Sequence, residues 1–557
     1  MRVAVIGSGP SGIAAADVLS ERGVDVDLFD GGEMLDPSGR ELSQTIVEEL
    51  QQGRRPARSL MNILRFGHKR TDNSAQLSAA FSAVFRRRVD PRQLEKRIFG
   101  SDFAFRNGDR GTPIVGAWMP RSLATGGLSN VWGAACYPLR LGDYNDWPLT
   151  EGDLAPWYAR AQRLAGVCGE TDALNSVYPL YDTPLPATGE HAFDPVSPLE
   201  LTLARWRRDQ HRLAKLGLVG GRPRLAVAPP TSGGAGCLRC GLCLFGCPAD
   251  VIWHADKALQ TQGQLTRVTY RRGTFVRSLV HRNDSVWLKT GLDEANEKEC
   301  GPYRAVLLAA GPLSSLRIAL DSLQLSRHEC RIVENDAYVI PFRMVDKAMA
   351  DRAPVKFGLS QAVLAIEPDR VGRRAAHLQF YRITEPVLGS PGRLLGALPW
   401  HIGESAFKHL HGYLIGLFYL HSDDSRNICV EVAGKRDGIS VLRVTSKQDA
   451  GPSTQSRIVR FLESAGTVTG LKPLSRLVRY GPPGFSGHIG GTLPMSARPT
   501  LLQTHSDGRV EGLSAVYSVD MSVFPTMPAQ NPTLTSMANA MRCAALLADK
   551  LLAPGVI

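Results

Sequence analysis

Two short stretches of this sequence carry residue types at spacings that could do chemistry. One is Gly7-Ser8-Gly9-Pro10-Ser11-Gly12, a GxGxxG run followed later by Asp30. The other is Cys237, Cys240, Cys243 and Cys247, a C-x2-C-x2-C-x3-C run with Pro248 directly after it. In the first, Gly7 permits a tight turn, Gly9 lets the backbone approach a pyrophosphate, and Gly12 allows a helix to lie close on a strand. The free N–H groups and positive dipole end of that helix suit phosphates. Asp30 can accept hydrogen bonds from ribose hydroxyls. In the second, closely spaced thiolates and exposed backbone N–H groups match the bacterial ferredoxin arrangement, which wraps an iron–sulfur cluster.

These residues need particular elements around them. Arg2 to Ile6 is an unbroken apolar run and reads as a buried strand. Ala14, Ala15, Ala16, Val18 and Leu19 favour a helix that Gly23 is placed to end, and Val24–Phe29 reads as a second strand closing on Asp30. A glycine-rich turn alone is common and means little. With strand, helix and terminal acid in this order, dinucleotide binding outweighs the plain turn, although the fingerprint does not separate FAD from NAD.

The C-terminal residues separate them. Gly487-His488-Ile489-Gly490-Gly491-Thr492-Leu493-Pro494-Met495 is followed by Val516–Pro525, then by Asn531-Pro532-Thr533-Leu534-Thr535 and a helix through Met537, Ala540, Arg542 and Ala545. This resembles the closing signature of the glucose–methanol–choline (GMC) oxidoreductases. Gly126–Gly133, Asp146–Leu149 with Tyr158 and Ala161, and Leu308–Pro312 with Leu316 also resemble that family's blocks, in its order. The resemblance implies FAD, with cofactor contacts from Gly7, Gly9, Gly12, Asp30, Gly127, Asn130, Ala310, Asp520 and Pro532. It implies His488 as catalytic base and Asn531 as its partner. The chemistry is sound: an alcohol releases a hydride readily only as its hydroxyl proton leaves, and histidine suits that proton. Asn531 can donate to the developing alkoxide. The bland alternative, one loop histidine among thirteen, does not account for its place in the signature. Some relatives link flavin covalently to a histidine where this chain has Asn130, Val131 and Trp132, so FAD is expected to be non-covalent.

For Cys237, Cys240, Cys243 and Cys247 the residues leave several readings open. One [4Fe-4S] or [3Fe-4S] cluster fits the spacing, and some GMC sugar dehydrogenases resemble this chain in carrying a cluster-binding cysteine-rich insertion. A structural zinc is cramped by four thiols so close together. Disulfides suit an oxidising compartment, and a loop that merely keeps its cysteines is the remaining rival. The other six of the ten cysteines are isolated, and most of them read as buried hydrophobes.

The 557 residues, 43% hydrophobic and 21% charged, suffice for two or three domains of a globular α/β protein. The fold class expected is α/β: a discontinuous FAD-binding Rossmann-like domain from residues 1–165, 235–325 and 488–557, and a substrate domain from 166–234 and 326–487 with a largely antiparallel sheet. Tyr338–Val345 and Leu414–Leu420 have strand character, and Pro341 suggests a sheet edge for the first. No apolar run reaches the ~20 residues of a membrane span, and Gly7, Gly9, Pro10 and Gly12 break what would be a leader, so a cytoplasmic protein is expected. The net charge of +12 gathers in 53–97, where twelve Lys or Arg face three Asp or Glu. That segment suggests an acidic electron-acceptor partner or a membrane surface; solvated helical faces are the plainer reading.

The expected function is oxidation of an alcohol on a sugar, glycoside or aminosugar, with electrons passed to an external acceptor. An oxygen-reducing, peroxide-forming oxidase of secondary-metabolite or aminoglycoside tailoring is the alternative. From another class, a flavin electron-transfer subunit with no alcohol substrate would leave His488 and Asn531 idle. A nucleic-acid binder would explain the basic segment and none of the motifs.

Overall fold

A computed structural model describes residues 1–53, 102–105, 108–181, 198–229, 236–243, 246–261, 263–345, 357–382, 412–446 and 452–553. The basic segment 53–97 therefore lies outside the described residues, Gly53 apart.

The N-terminal strand β1 (Arg2–Ile6) is the middle strand of a five-stranded parallel sheet ordered Val516–Ser518, Ala305–Leu308, β1, β2 (Asp25–Asp30) and Val268–Arg272. Both faces of β1 are covered, which is why Val3–Ile6 is continuously apolar and buried rather than alternating. Helix α1 (Pro10–Glu21) joins β1 to β2 and ends before Gly23, whose φ of 83° closes the turn. The small side chains Ala14, Ala15 and Ala16 are fully buried, and α1 packs closely against the helix Thr533–Leu552. Ser11 Oγ and Ser536 Oγ, 2.7 Å apart, tie the two helices. Chain segments hundreds of residues apart thus build one layer.

A second sheet is antiparallel, ordered Leu471–Pro473, Ala337–Met344, Tyr413–Leu420, Ala376–Arg382, Ala362–Ile366 and Leu218–Gly221, with Arg479–Tyr480 also pairing Ala337–Met344. Pro341 does not mark an edge. Its strand is paired on both sides, and the proline falls between the two short partners Leu471–Pro473 and Arg479–Tyr480. There Leu474 N–H donates to the Pro341 carbonyl at 2.8 Å, so the missing proline donor interrupts no continuous ladder.

A third sheet links the two ends of the site. Its strand Glu329–Glu334 pairs antiparallel with Ile489–Gly490 in the register Val333↔Gly490 and Glu334↔Ile489. One step further along that register, Asn335 stands opposite His488. The molecule is a mixed α/β protein with a parallel sheet and antiparallel sheets, as expected for the fold class. Among the described residues no helix is long and apolar enough to cross a membrane.

Candidate active site

At the carboxyl ends of the parallel strands lies a cavity of about 1160 Å3, its open mouth included. Gly7, Ser8, Gly9, Asp30, Gly127, Ala310 and Asp520 all line it. A Cβ on Gly12 would stand 1.8 Å from the Gly7 carbonyl oxygen, and one on Gly7 would stand 2.3 Å from that of Ala309. A Cβ on Gly9 would meet no atom within 4 Å, so this glycine keeps open the space in front of the helix. No side chain caps the N-terminus of α1, whose first N–H groups are left for a ligand. These features fit a dinucleotide.

Asp30 accepts from Tyr270 Oη at 2.7 Å and from Ser8 Oγ. Burial pushes its carboxyl up to about 6, against the Tyr270 and Gly32 hydrogen bonds and the Arg272 charge. Ser8 Oγ also receives Gly126 N–H at 2.9 Å, which draws the 126–130 loop towards the glycine run. Asn130 donates its amide to the Thr125 and Gly127 carbonyls at 2.9 and 2.8 Å, holding this loop in shape. Asp520 accepts from Gly311 N–H at 2.8 Å, Ser315 Oγ at 2.6 Å and Ser522 N–H at 2.8 Å. It pins the Ala310–Gly311 turn. Neither Asn130 nor Pro532 lines the cavity; Pro532 instead precedes the helix Thr533–Leu552.

His488 lies between Gly487 and Ile489, which both line the cavity. Its ring is boxed in. Nδ1 is 2.9 Å from Asn335 Oδ1, Nε2 is 3.1 Å from Asn531 Nδ2, and the Tyr419 ring lies at 5.1 Å between centroids. Burial pulls its pKa down to about 4, so the imidazole is neutral at ordinary pH. The structure thus brings His488 and Asn531 together.

The loop before His488 is anchored from the end of the strand Glu329–Glu334, which Asn335 follows. Glu334 accepts from Gly484 N–H at 2.9 and 3.0 Å and from Ser486 Oγ at 2.9 Å, and burial raises its carboxyl to about 7. Asp336 accepts from Arg426 Nε at 2.6 Å and Tyr480 Oη at 2.7 Å. Beyond Asn531, Gln379 donates to Asn531 Oδ1 and stands 3.0 Å from His377 Nε2, while Tyr381 Oη donates to Gln379 Oε1 at 2.6 Å. Asn335, Glu334 and Gln379 were not singled out from the sequence. A local signal existed for two of them: Glu334-Asn335-Asp336 interrupts the apolar Ile332-Val333 and Ala337–Ile340.

The expected cluster at the four cysteines finds no support in the described residues. All are free thiols, and among the described residues no group of three or more His, Cys, Asp or Glu is placed to hold a metal ion. Leu244 and Phe245, within the run, lie outside the described residues. Separate backbone N–H groups hold the sulfurs: Arg239 to Cys237, Gly358 to Cys243 and Val251 to Cys247, each at 3.4 Å. Burial raises all four thiols, Cys240 to about 12. The [4Fe-4S] or [3Fe-4S] expectation is not met by these residues.

Comparison with known proteins agrees with the architecture. Residues 477–540 match the family model described as GMC oxidoreductase. No curated protein matches the chain. Among solved structures, pyridoxine 4-oxidase from Mesorbium loti is similar in fold, with a TM-score of 0.55 at 16% identity over 98% of each chain. The segment that matches the GMC oxidoreductase model contains both His488 and Asn531.

Proposed function

We propose that the protein oxidises a CH–OH group of a small molecule, with a sugar, glycoside or aminosugar as the substrate class and non-covalently held FAD as cofactor. One observation carries the reading: a neutral imidazole Nε2 and the amide Nδ2 of Asn531 stand 3.1 Å apart beside the dinucleotide cavity. An alcohol hydroxyl entering between them would replace that direct contact, donating to Nε2 and accepting from Nδ2. Nε2 takes the hydroxyl proton, and Asn531 Nδ2 donates to the oxygen as it gains charge. Gly7, Gly9 and the N-terminus of α1 would hold the pyrophosphate, Asp30 the ribose, and Gly127, Ala310 and Asp520 the flavin side. FAD, when bound, supplies the acceptor for the hydride. Residues 1–165, 235–325 and 488–557 serve as the cofactor domain in this reading, and 166–234 with 326–487 as the substrate domain.

For the electrons' exit, transfer to an external acceptor is the leading reading, and return to dioxygen as hydrogen peroxide is its alternative. The test is anaerobic mixing of the yellow protein with candidate alcohols. Bleaching of the flavin band near ~450 nm is expected, and peroxide on admitting air would mark the alternative. Acid precipitation should leave the colour in the supernatant. A band that no CH–OH compound bleaches would leave only the electron-transfer subunit.

A further inference from the structure

A base needs more than a suitable pKa; the correct ring nitrogen must carry the lone pair. We propose that Asn335 is a positioning residue that fixes the tautomer of His488, with the proton on Nδ1 and the lone pair on Nε2. The inference rests on His488 as the base.

Asn335 is 1% exposed, and its orientation is determined. Its Nδ2 has two carbonyls to donate to, Leu420 at 2.7 Å and Pro528 at 2.8 Å. Turning the amide over would set its oxygen against both of them. Oδ1 must therefore face Nδ1 of His488, at 2.9 Å. An amide oxygen only accepts, so Nδ1 must donate.

The far side of the ring gives the same answer independently. Gln379 donates to Asn531 Oδ1, which turns Asn531 Nδ2 towards His488 Nε2. Gln379 is itself held by Tyr381 Oη, a donor to its Oε1, and by His377 Nε2 at 3.0 Å. The Nε2 of His377 can accept because its Nδ1 faces Tyr178 Oη at 3.1 Å. A donor at Asn531 Nδ2 requires an acceptor at His488 Nε2. Two chains of amides, fixed from different strands, thus converge on one proton position.

The test uses the flavin-bound protein labelled with ¹⁵N-histidine, with His488→Gln identifying the His488 signals. Wild-type His488 should show a protonated Nδ1 and an unprotonated Nε2. Asn335→Leu removes the acceptor and should lose that preference, with kcat falling about 10²-fold, the lower end for a misdirected general base, and KM within about threefold. Asn335→Asp abandons the same two carbonyls but keeps an acceptor at Nδ1. It should retain the tautomer and most of kcat. A merely structural role would harm both variants alike.

A wild-type proton on Nε2, an unchanged tautomer in Asn335→Leu, or equal kcat losses in both variants would overturn the inference. If Asn335→Leu does not fold, the wild-type and Asn335→Asp spectra still decide. The spectrum needs no alcohol, so the two readings fail separately. A correct tautomer with full flavin reduction in His488→Ala removes the base alone, and a reversed tautomer removes the positioning role alone.

Discussion

His488 is buried and the four thiols are half-buried or buried, and the two sets of side chains are held differently. Around His488, side chains hold side chains: Asn335, Asn531, Gln379 and Tyr381 each fix the orientation of the next. Around the cysteines, backbone N–H groups, among them those of Arg239, Gly358 and Val251, donate to sulfur, a weak acceptor. The first arrangement leaves little freedom in where a proton sits, and such over-determined shells are what a reacting group requires. The second holds four neighbouring thiols through backbone N–H donors.

The hardest test of this contrast is His488→Ala. Flavin should stay bound while its reduction by alcohol slows about 10²- to 10⁴-fold, the range for losing a general base, as read by anaerobic stopped flow. Unchanged reduction would place the chemistry elsewhere.

A smaller effect is expected at the glycine turn. Gly12→Val sets atoms against the Gly7 carbonyl, where even a Cβ would stand at 1.8 Å. Overpacking of this kind costs ~1–3 kcal/mol, so flavin retention on dialysis should weaken roughly tenfold or more. Full retention would mean the helix can move off the strand.

The third test is pH. Burial lowers His488 to about 4 from an ordinary 6.5, so kcat/KM should stay level below neutrality and fall about tenfold per unit only beneath pH 4. The sign for folding is the same. The depressed pKa means that protonation favours the unfolded chain, so this group costs stability as pH falls below 6.5, with the loss complete near 4. An acid limb near 6.5 would show a solvated ring.

The smallest effect should come from changing Cys237, Cys240, Cys243 and Cys247 together to Ser. Flavin content and its rate of reduction should stay within about threefold, because no hydrogen bond of the His488 network passes through them. Iron and sulfide analysis of the parent protein sharpens the point. About three or four of each per chain would mean that metal gathers the thiols and would put both pockets on one footing.

How much of this was legible beforehand follows from range. The strand, glycine turn, helix and terminal acid of 2–30 are local, and each residue's task can be read from its neighbours. His488 and Asn531 were legible through their family signature. Asn335 and Gln379 were not, because what places them is the register of Glu329–Glu334 on Ile489–Gly490 and the pairing of Ala376–Arg382 within its sheet. Pro341 misled for the same reason: its missing donor was absorbed by a gap between two short strands that no local pattern foretold.

The sheet order has a consequence for the chain's birth. The strand Ala305–Leu308 sits between β1 and Val516–Ser518, and the turn after it is held by Asp520. A ribosome adding ~5–20 residues per second needs on the order of half a minute to two minutes to travel from Ile6 to Ser518. Throughout that time the nascent layer presents an apolar strand edge with nothing to pair it, the kind of edge that recruits other chains. Under the proposed function flavin capture would be a late event in the protein's life, and chains released before their last fifty residues should emerge colourless and in need of a chaperone.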